Sequence, residues 1–341
     1  MNHNHSAELG IDVSKLKLDV ALLLSTTTHA ATFPNTAKGF DALVRWLAHL
    51  SVSPRVCLEA TGVYSLPVAR FLHGRGFVVS LVNPMAIHFF ARTRMSRNKT
   101  DAHDAALIAL YGRQYQPRPW HPPTPAREQL QQLVRAREQV LVARVQAQQH
   151  LESTPKAVAK YFRAQIKLLT GQLVRLTAQI QAAVQADAAL AQAVDWLTSI
   201  PGIGTVTAVT VLTTMPEITQ LDSARQLAAF AGVTPSQRQS GTLAGRTRMS
   251  KQGHQRLRKA LYFPALAALR SNPRVQALAI RLAQKGKTKM VIIGAAMRLL
   301  THLIFGVLKN RTTFDPHYQR RPLLKSSSRA AASHQLAPGC A

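Results

Sequence analysis

Between residues 8 and 113 the apolar positions first recur with the period of β-strands. After that, segments with the period of a helix alternate with segments with the period of a strand. Apolar runs at 9–13 and 16–24, separated by a tight turn at Ser14 and Lys15, predict two strands, and a third is predicted at 29–33. An amphipathic helix capped by Asn35 follows. Further strands are predicted at 55–59 and 77–82, and further helices at 64–72, 85–94 and 101–113. Three strands followed by alternating helices and strands predict a mixed α/β sheet.

The pattern changes at residues 116–125, a proline-rich segment that we interpret as a linker. Residues 126–195 contain almost no Gly or Pro, and their apolar residues recur at helical spacing. Two long helices broken near Thr154 and Pro155 are therefore predicted, as an antiparallel coiled coil. The narrow apolar stripe is typical of a dimerisation arm, although a helical spacer has the same pattern. The pattern predicts a mainly helical domain at 196–312 and a basic disordered tail at 313–341.

The charge of the chain narrows the class of its partner. The sequence has 43 Lys and Arg against 15 Asp and Glu, a net charge of +28, which is typical of proteins that bind nucleic acid. Only Asp315 among the acids follows Asp222, whereas 21 Lys and Arg do, so the C-terminal third is predicted to bind phosphates.

No feature of the sequence predicts a membrane or secreted protein. The most apolar stretch, residues 290–308, contains Arg298 and His302, which favours a buried helix over a membrane span. No charged-then-apolar signal peptide is recognised, and Cys57 and Cys340 suggest neither a disulfide framework nor a zinc site. We expect a location in the bacterial cytoplasm, associated with the nucleoid.

Four carboxylates occupy positions where acids are unfavourable in so basic a chain: Asp12, Glu59, Asp101 and Asp104. Asp12 lies within one apolar strand and Glu59 ends another, while Asp101 and Asp104 share the first turn of a helix. If the four converge, they repel one another unless a cation neutralises them. Mg²⁺ or Mn²⁺ would do so and leave open positions for phosphate and water. The pattern predicts metal-assisted phosphodiester chemistry.

Each acid taken alone has a simpler interpretation. Asp101 is a common type of N-terminal helix acid, Asp104 suits a solvated helix face, and Glu59 suits a strand end at the surface. Asp12 has apolar neighbours and is harder to explain structurally. We interpret Asp19, on the second strand, as a surface residue.

Two polar segments of the second half predict phosphate contacts. Residues 199–204 suggest the turn of a helix-hairpin-helix element, in which Gly202 and Gly204 let backbone N–H groups approach a phosphate, although an ordinary tight turn has a similar sequence. Residues 234–251 form a polar loop with Ser240 among cations, where a serine nucleophile would be stabilised. Because the loop contains no His, Asp or Glu to act as base, the residues alone favour a phosphate-binding loop without a nucleophile. The candidate nucleic-acid contacts are Lys15, Arg97, Lys99, Gly202, Gly204, Arg238, Gly241, Arg246, Arg248, Ser250, Lys251, Arg256 and Arg258.

Eight motifs occur in one order along the chain. They are GIDVSK at 10–15, CLEATGVY at 57–64, VNP at 82–84, RNKTDAHDA at 97–105, SIPGIG at 199–204, LAAFAGVTP at 227–235, SG at 240–241 and RMSKQGHQRLRKALY at 248–262. Together they resemble the insertion-sequence-110 family of transposases, also called bridge-RNA-guided DEDD recombinases. The resemblance runs from about residue 8 to residue 310.

This resemblance implies an α/β ribonuclease-H-like, resolvase-like domain at 1–115, the linker at 116–125 and a coiled-coil region at 126–195. It implies a mainly α transposase domain at 196–312, with the tail at 313–341. Asp12, Glu59, Asp101 and Asp104 would bind the metal, and Ser240 would become covalently joined to DNA. The implied partners are donor and target DNA, a structured bridge RNA, and further copies of the chain. A homodimer would assemble into a homotetramer whose composite sites take acids and serine from different subunits.

Three other functions fit some of the residues. A metal-dependent resolvase-like nuclease would use water in place of Ser240. A nucleic-acid-binding protein without catalytic activity would need neither the acids nor a metal. An actin-like kinase also has GID at a hairpin, but the missing second Asp-Gly phosphate loop and the charge of +28 argue against it.

Overall fold

The computed structural model describes residues 7–25, 27–60, 62, 64–94, 101–237, 239–240, 243–244 and 247–317. The chain divides into two units, Met1–Pro123 and Thr124–Ala341. The predicted disordered tail lies outside the described residues from position 318 onward.

A five-stranded mixed sheet forms the centre of the first unit, in the order β3-β2-β1-β4-β5. Its strands are β1 (Glu8–Val13), β2 (Lys17–Leu23), β3 (Thr28–Pro34), β4 (Arg55–Glu59) and β5 (Val79–Val82). The first three pair antiparallel, while β1, β4 and β5 run parallel. The predicted mixed sheet is therefore confirmed.

The described part of this unit also contains the helices α1 (Ala37–His49), α2 (Ser65–Gly74), α3 (Pro84–Thr93) and α4 (Asp101–Tyr115). The predicted cap of α1 is wrong by one residue. Thr36 has extended backbone angles, and its side chain accepts the N–H of Gly39. The amide of Asn35 instead donates to the carbonyls of Ser14, at 2.8 Å, and Tyr64, at 3.3 Å, so it ties the β1–β2 turn to the start of α2.

Helix α4 packs directly onto β1 because Gly10 has no side chain. A Cβ atom at Gly10 would overlap the carbonyl oxygen of Ala105 and the amide nitrogen of Ala109. Ala105 and Ala109 are four residues apart and fully buried, so a stripe of small residues on α4 faces the strand. The contact brings the first turn of α4 close to the C-terminal end of β1.

The second unit is mainly helical, as predicted. Its helices are α5 (Pro125–Ser153), α6 (Ala159–Gln185), α7 (Ala188–Thr198), α8 (Thr205–Thr214), α9 (Ala224–Ala231), α10 (Gln255–Ala260), α11 (Tyr262–Ser271), α12 (Pro273–Gln284) and α13 (Lys289–Asn310). Helices α5 and α6 lie antiparallel: Arg137 donates to the Thr177 hydroxyl at 3.0 Å, and the His150 ring stacks on Phe162. The coiled coil and the dimerisation expected of this pair remain predictions.

Helix α13 is long and apolar enough, by composition, to cross a membrane. Eight of its residues are buried, and those that are apolar belong to the core of the second unit. This packing agrees with the buried helix predicted for residues 290–308.

We expect Gly10→Ala to lower the free energy of unfolding of the first unit by about 1–3 kcal/mol, because the added methyl group forces α4 away from β1. Urea titration followed by circular dichroism would measure the change. The matched control is Gly74→Ala at the end of α2, where a Cβ meets nothing within 4 Å, and its stability should be unchanged or slightly higher. Equal stabilities of the two variants would contradict the described packing.

Glu8, on β1, is a buried acid that the sequence pattern did not single out. Burial raises the pKa of Glu8 to about 7, although the charges of Arg55 and Arg113 act to lower it. The folded protein therefore keeps a proton that the unfolded chain releases above pH 4.5, and the stability due to Glu8 is lost as the pH rises to 7. As the pH rises from 5 to 8, the free energy of unfolding of Glu8→Gln should therefore increase by about 1–3 kcal/mol relative to that of wild type.

Unfolding free energies of Glu8→Gln and wild type at both pH values test this. Glu152→Gln removes an exposed carboxylate from α5 and serves as the control for the substitution itself. A constant difference for Glu8→Gln across this range would refute the assignment.

Candidate active site

Strand register places Asp12 beside two other acids. Asp12 pairs directly with Asp19 across the antiparallel β1–β2 ladder. On the other side, Ile11 pairs with Leu58 of β4, so Asp12 and Glu59 each follow this last pair. Residues level with one another on neighbouring strands lie on the same face of the sheet. The C-terminal ends of β1 and β4 therefore present Asp12 and Glu59 together.

Helix α4 brings the remaining two predicted acids to this end of the sheet. Asp101 and Asp104 occupy its first turn, where the helix dipole favours negative charge. Burial raises the pKa of Asp12, and the charges of Asp104, Asp101 and Asp19 raise it further. Burial also raises the pKa of Glu59, with added contributions from Asp12 and Asp104. The four acids thus share one electrostatic neighbourhood.

Asp19 is not the surface residue that the sequence suggested. It is 7% exposed, and its carboxylate accepts a hydrogen bond from the Thr32 hydroxyl at 2.7 Å. The alternation of β2 turns Asp19 toward the face that carries Asp12, which makes it a fifth acid of the cluster.

Lys17 is the cation of this cluster, and sequence reasoning missed it. Its ammonium lies 2.6 Å from Asp101 Oδ2 and 3.0 Å from Asp19 Oδ2. Hydrogen bonds to Asp101 and Asp19 raise the pKa of Lys17 to about 12. The available signal was strand alternation, since Lys17 and Asp19 are two residues apart on β2.

Carboxylate oxygens are the donors that Mg²⁺ and Mn²⁺ prefer, so the chemistry of the cluster suits such an ion. The ammonium of Lys17 already occupies a position between two of the carboxylates, as a cation would. Within the described part of the chain, however, no three His, Cys, Asp or Glu side chains are grouped closely enough to hold a metal. The side chains are therefore of the type that binds such a metal, but the described ones do not surround a common position.

Ser240 lies on a short β-ribbon in the second unit. Strands β6 (Pro235–Ser236) and β9 (Arg248–Met249) form its base, and β7 (Gln239–Ser240) pairs with β8 (Leu243–Ala244). The Thr234 and Ser250 hydroxyls lie 3.3 Å apart at the base. Sequence reasoning predicted a polar loop here and did not predict this pairing.

Several predicted nucleic-acid contacts are engaged within the second unit. Arg256 pairs with Glu138 of α5 at 2.7 Å, and Arg258 donates to the carbonyl of Ala231 at 3.2 Å. Lys15, Arg248 and Lys251 are exposed. Arg97, Lys99, Arg238, Gly241 and Arg246 lie outside the described residues.

The predicted helix-hairpin-helix turn connects α7 to α8, and its two glycines differ. Gly202 has a φ of +102°, and a Cβ there would lie 2.8 Å from Ala268 of α11, so packing within the unit explains this glycine. Gly204 caps α8, and a Cβ there would meet nothing within 4 Å. The amide of Asn272 also donates to Pro201, at 3.4 Å. Of the two glycines, Gly204 has the open space that a phosphate contact needs.

A largely apolar cavity of about 990 Å³ lies beside the ribbon. Both strands at the base of the ribbon line it, through Pro235, Arg248 and Met249, and so do Tyr262 and Met297. No part of the sequence pattern predicted this cavity.

Comparison with known proteins gives matches in both units. Residues 9–159 match a family model for DEDD transposases of IS110, described as a transposase, and residues 194–279 match one described as the transposase IS116/IS110/IS902 family. The chain is 31% identical over 312 residues to pilin gene-inverting proteins of Moraxella bovis and Moraxella lacunata, covering 90% of this chain and 97% of each relative.

A shorter match, 42% identical over 72 residues, is to the transposase for insertion sequence element IS1111A of Coxiella burnetii, and it covers 21% of this chain and 20% of that protein. The two family models and the nearly full-length relatives agree with one another and with the resemblance noted from the motifs. The chain belongs to the IS110 family of transposases and is an enzyme that acts on DNA.

Proposed function

We propose that this transposase cuts and rejoins DNA by serine attack on a phosphate held at the cluster of acids. The observation that supports the proposal most is that β1, β2, β4 and α4 gather Asp12, Asp19, Glu59, Asp101 and Asp104 at one end of the sheet in a chain of net charge +28. Such a cluster repels the phosphates of DNA unless a cation lies between the acids and the phosphates. The first family match supports a ribonuclease-H-like fold for this sheet.

Asp12, Glu59, Asp101 and Asp104 would hold Mg²⁺ or Mn²⁺. When bound, the ion supplies positive charge that polarises the phosphate and stabilises the oxygens at which negative charge develops. Asp12 is fixed by its pairing with β2 and Glu59 by its pairing with β5, so these two residues provide the rigid part of the site. Asp101 and Asp104 depend on the packing of α4.

Ser240 would act as the nucleophile. Its oxygen forms a phosphoserine ester as the bond between phosphorus and one deoxyribose oxygen breaks, and the proton lost by the serine hydroxyl is finally carried by the released sugar hydroxyl. One phosphodiester bond replaces another, so the reverse attack by a sugar hydroxyl rejoins DNA without ATP. The exposed cations Arg248 and Lys251 at the base of the ribbon suit a position beside phosphates.

The proposed partners are those that the family resemblance implies. Donor and target DNA would be paired with a structured bridge RNA, and the exposed apolar residues Val142, Val145 and Val174 on α5 and α6 suit a dimer that assembles into a tetramer. The acids of one subunit would then act with Ser240 of another. The Moraxella relatives are named as gene-inverting proteins, and inversion of a DNA segment likewise requires strands to be cut and rejoined.

Asp12→Asn should reduce DNA strand cleavage by about 10²-fold or more, because the central carboxylate of the site is lost. Cleavage of a plasmid carrying the ends of the element would be measured with bridge RNA over a range of Mg²⁺ concentrations. The control is Asp41→Asn, which removes an exposed acid that pairs with Arg75 on the same unit. Full cleavage by Asp12→Asn, or cleavage that persists in EDTA, would rule out the proposed metal site.

Ser240→Ala should abolish the covalent adduct between protein and DNA, since no other group on the ribbon is proposed to attack phosphorus. The adduct would be trapped by denaturing the reaction and mapped by mass spectrometry. Ser236→Ala, on the same ribbon, is the matched control and should still form the adduct. If Ser240→Ala still cleaves DNA, water is the nucleophile and the enzyme acts as a resolvase-like nuclease.

A further inference from the structure

Lys17 makes two ion pairs that differ in their surroundings. Asp19 is its inner partner: the Asp19 side chain is 10% exposed and is fixed by the Thr32 hydroxyl. Asp101 is its outer partner, and the Asp101 side chain is 57% exposed. Exposed ion pairs contribute little stability, whereas a partly buried and hydrogen-bonded one is harder to break. The bond between Lys17 and Asp101 is therefore the one that opens at small cost.

The backbone holds Lys17 in this position independently of the acids. The Ser14 hydroxyl accepts the N–H of Lys17 at 3.1 Å and donates to its carbonyl at 3.0 Å. Asn35 in turn holds the Ser14 carbonyl at 2.8 Å. Turn and strand fix the Cα of Lys17, and the 3.0 Å ion pair to Asp19 keeps its ammonium in place when Asp101 moves away.

We propose that Lys17 is the resident cation of the acid cluster: it holds Asp101 in the metal-free enzyme, and a divalent metal binds by displacing this bond. This inference rests on the proposed function, because Asp101 must belong to both the ion pair and the metal site. The ligand set becomes complete only when Asp101 exchanges Lys17 for the metal.

Lys17→Met tests the inference by removing the competing charge from a side chain of similar length. A dication within about 5 Å of a removed positive charge should bind on the order of tenfold more tightly in a solvated site. Isothermal titration with Mn²⁺ would measure the affinities. Lys38→Met removes an exposed lysine of α1 and should leave the affinity within about twofold of wild type, and Lys17→Arg, which keeps the cation, should do the same.

The melting temperature of the full-length enzyme gives a second readout that does not depend on catalysis. Lys17→Met should melt below wild type in EDTA, where the variant lacks the bonds of Lys17 to both Asp101 and Asp19. This difference should become smaller in saturating Mn²⁺, because wild type then gives up its Lys17–Asp101 bond and keeps only the bond to Asp19. A lysine with a purely structural role would lower the melting temperature equally in both conditions.

The outcomes separate the inference from the function on which it rests. If wild type and Lys17→Met bind Mn²⁺ with equal affinity, Lys17 does not compete with the metal and the inference is overturned. If neither wild type nor Lys17→Met binds Mn²⁺, the proposed metal site itself fails. Tighter binding by Lys17→Met, together with a melting difference that is smaller in Mn²⁺ than in EDTA, supports the inference.

Discussion

The contact between α4 and β1 at Gly10 is the constraint on which the arrangement of acids depends. Two elements far apart in sequence come together there without an intervening side chain, and only a hydrogen atom fits between the strand and the helix backbone. Asp12 lies two residues beyond Gly10 on β1, and Asp104 directly precedes Ala105 on α4. The spacing between the strand acid and the helix acids is therefore set by backbone packing and not by flexible side chains.

Gathering five acids at one end of a sheet costs stability, and several features of the first unit reduce that cost. Directly opposed like charges on neighbouring strands destabilise a sheet, and Asp12 and Asp19 form such a pair. Lys17 and Thr32 satisfy the Asp19 carboxylate, and the dipole of α4 favours Asp101 and Asp104. Burial of the apolar core on the sheet stabilises the unit and offsets the remaining repulsion between the acids.

The order and type of the elements were predictable from the sequence because strand and helix periods are strong over residues 8–113, and β4 lies where its pattern placed it. The neighbours of Asp12 were not predictable. A two-residue turn at Ser14 and Lys15 would pair Asp12 with Lys17, whereas the four-residue connection Ser14–Lys17 pairs it with Asp19. Strand period fixes the face of each side chain but not its partner across the ladder, which is why Asp19 was misjudged and Lys17 missed.

The ribbon that carries Ser240 is short. Each of its strand pairs, β6 with β9 and β7 with β8, joins only two residues per strand, and a two-stranded ribbon is marginally stable on its own. Contacts with bound DNA would therefore contribute to the order of β7, so the position of the serine backbone would depend on assembly of the complex.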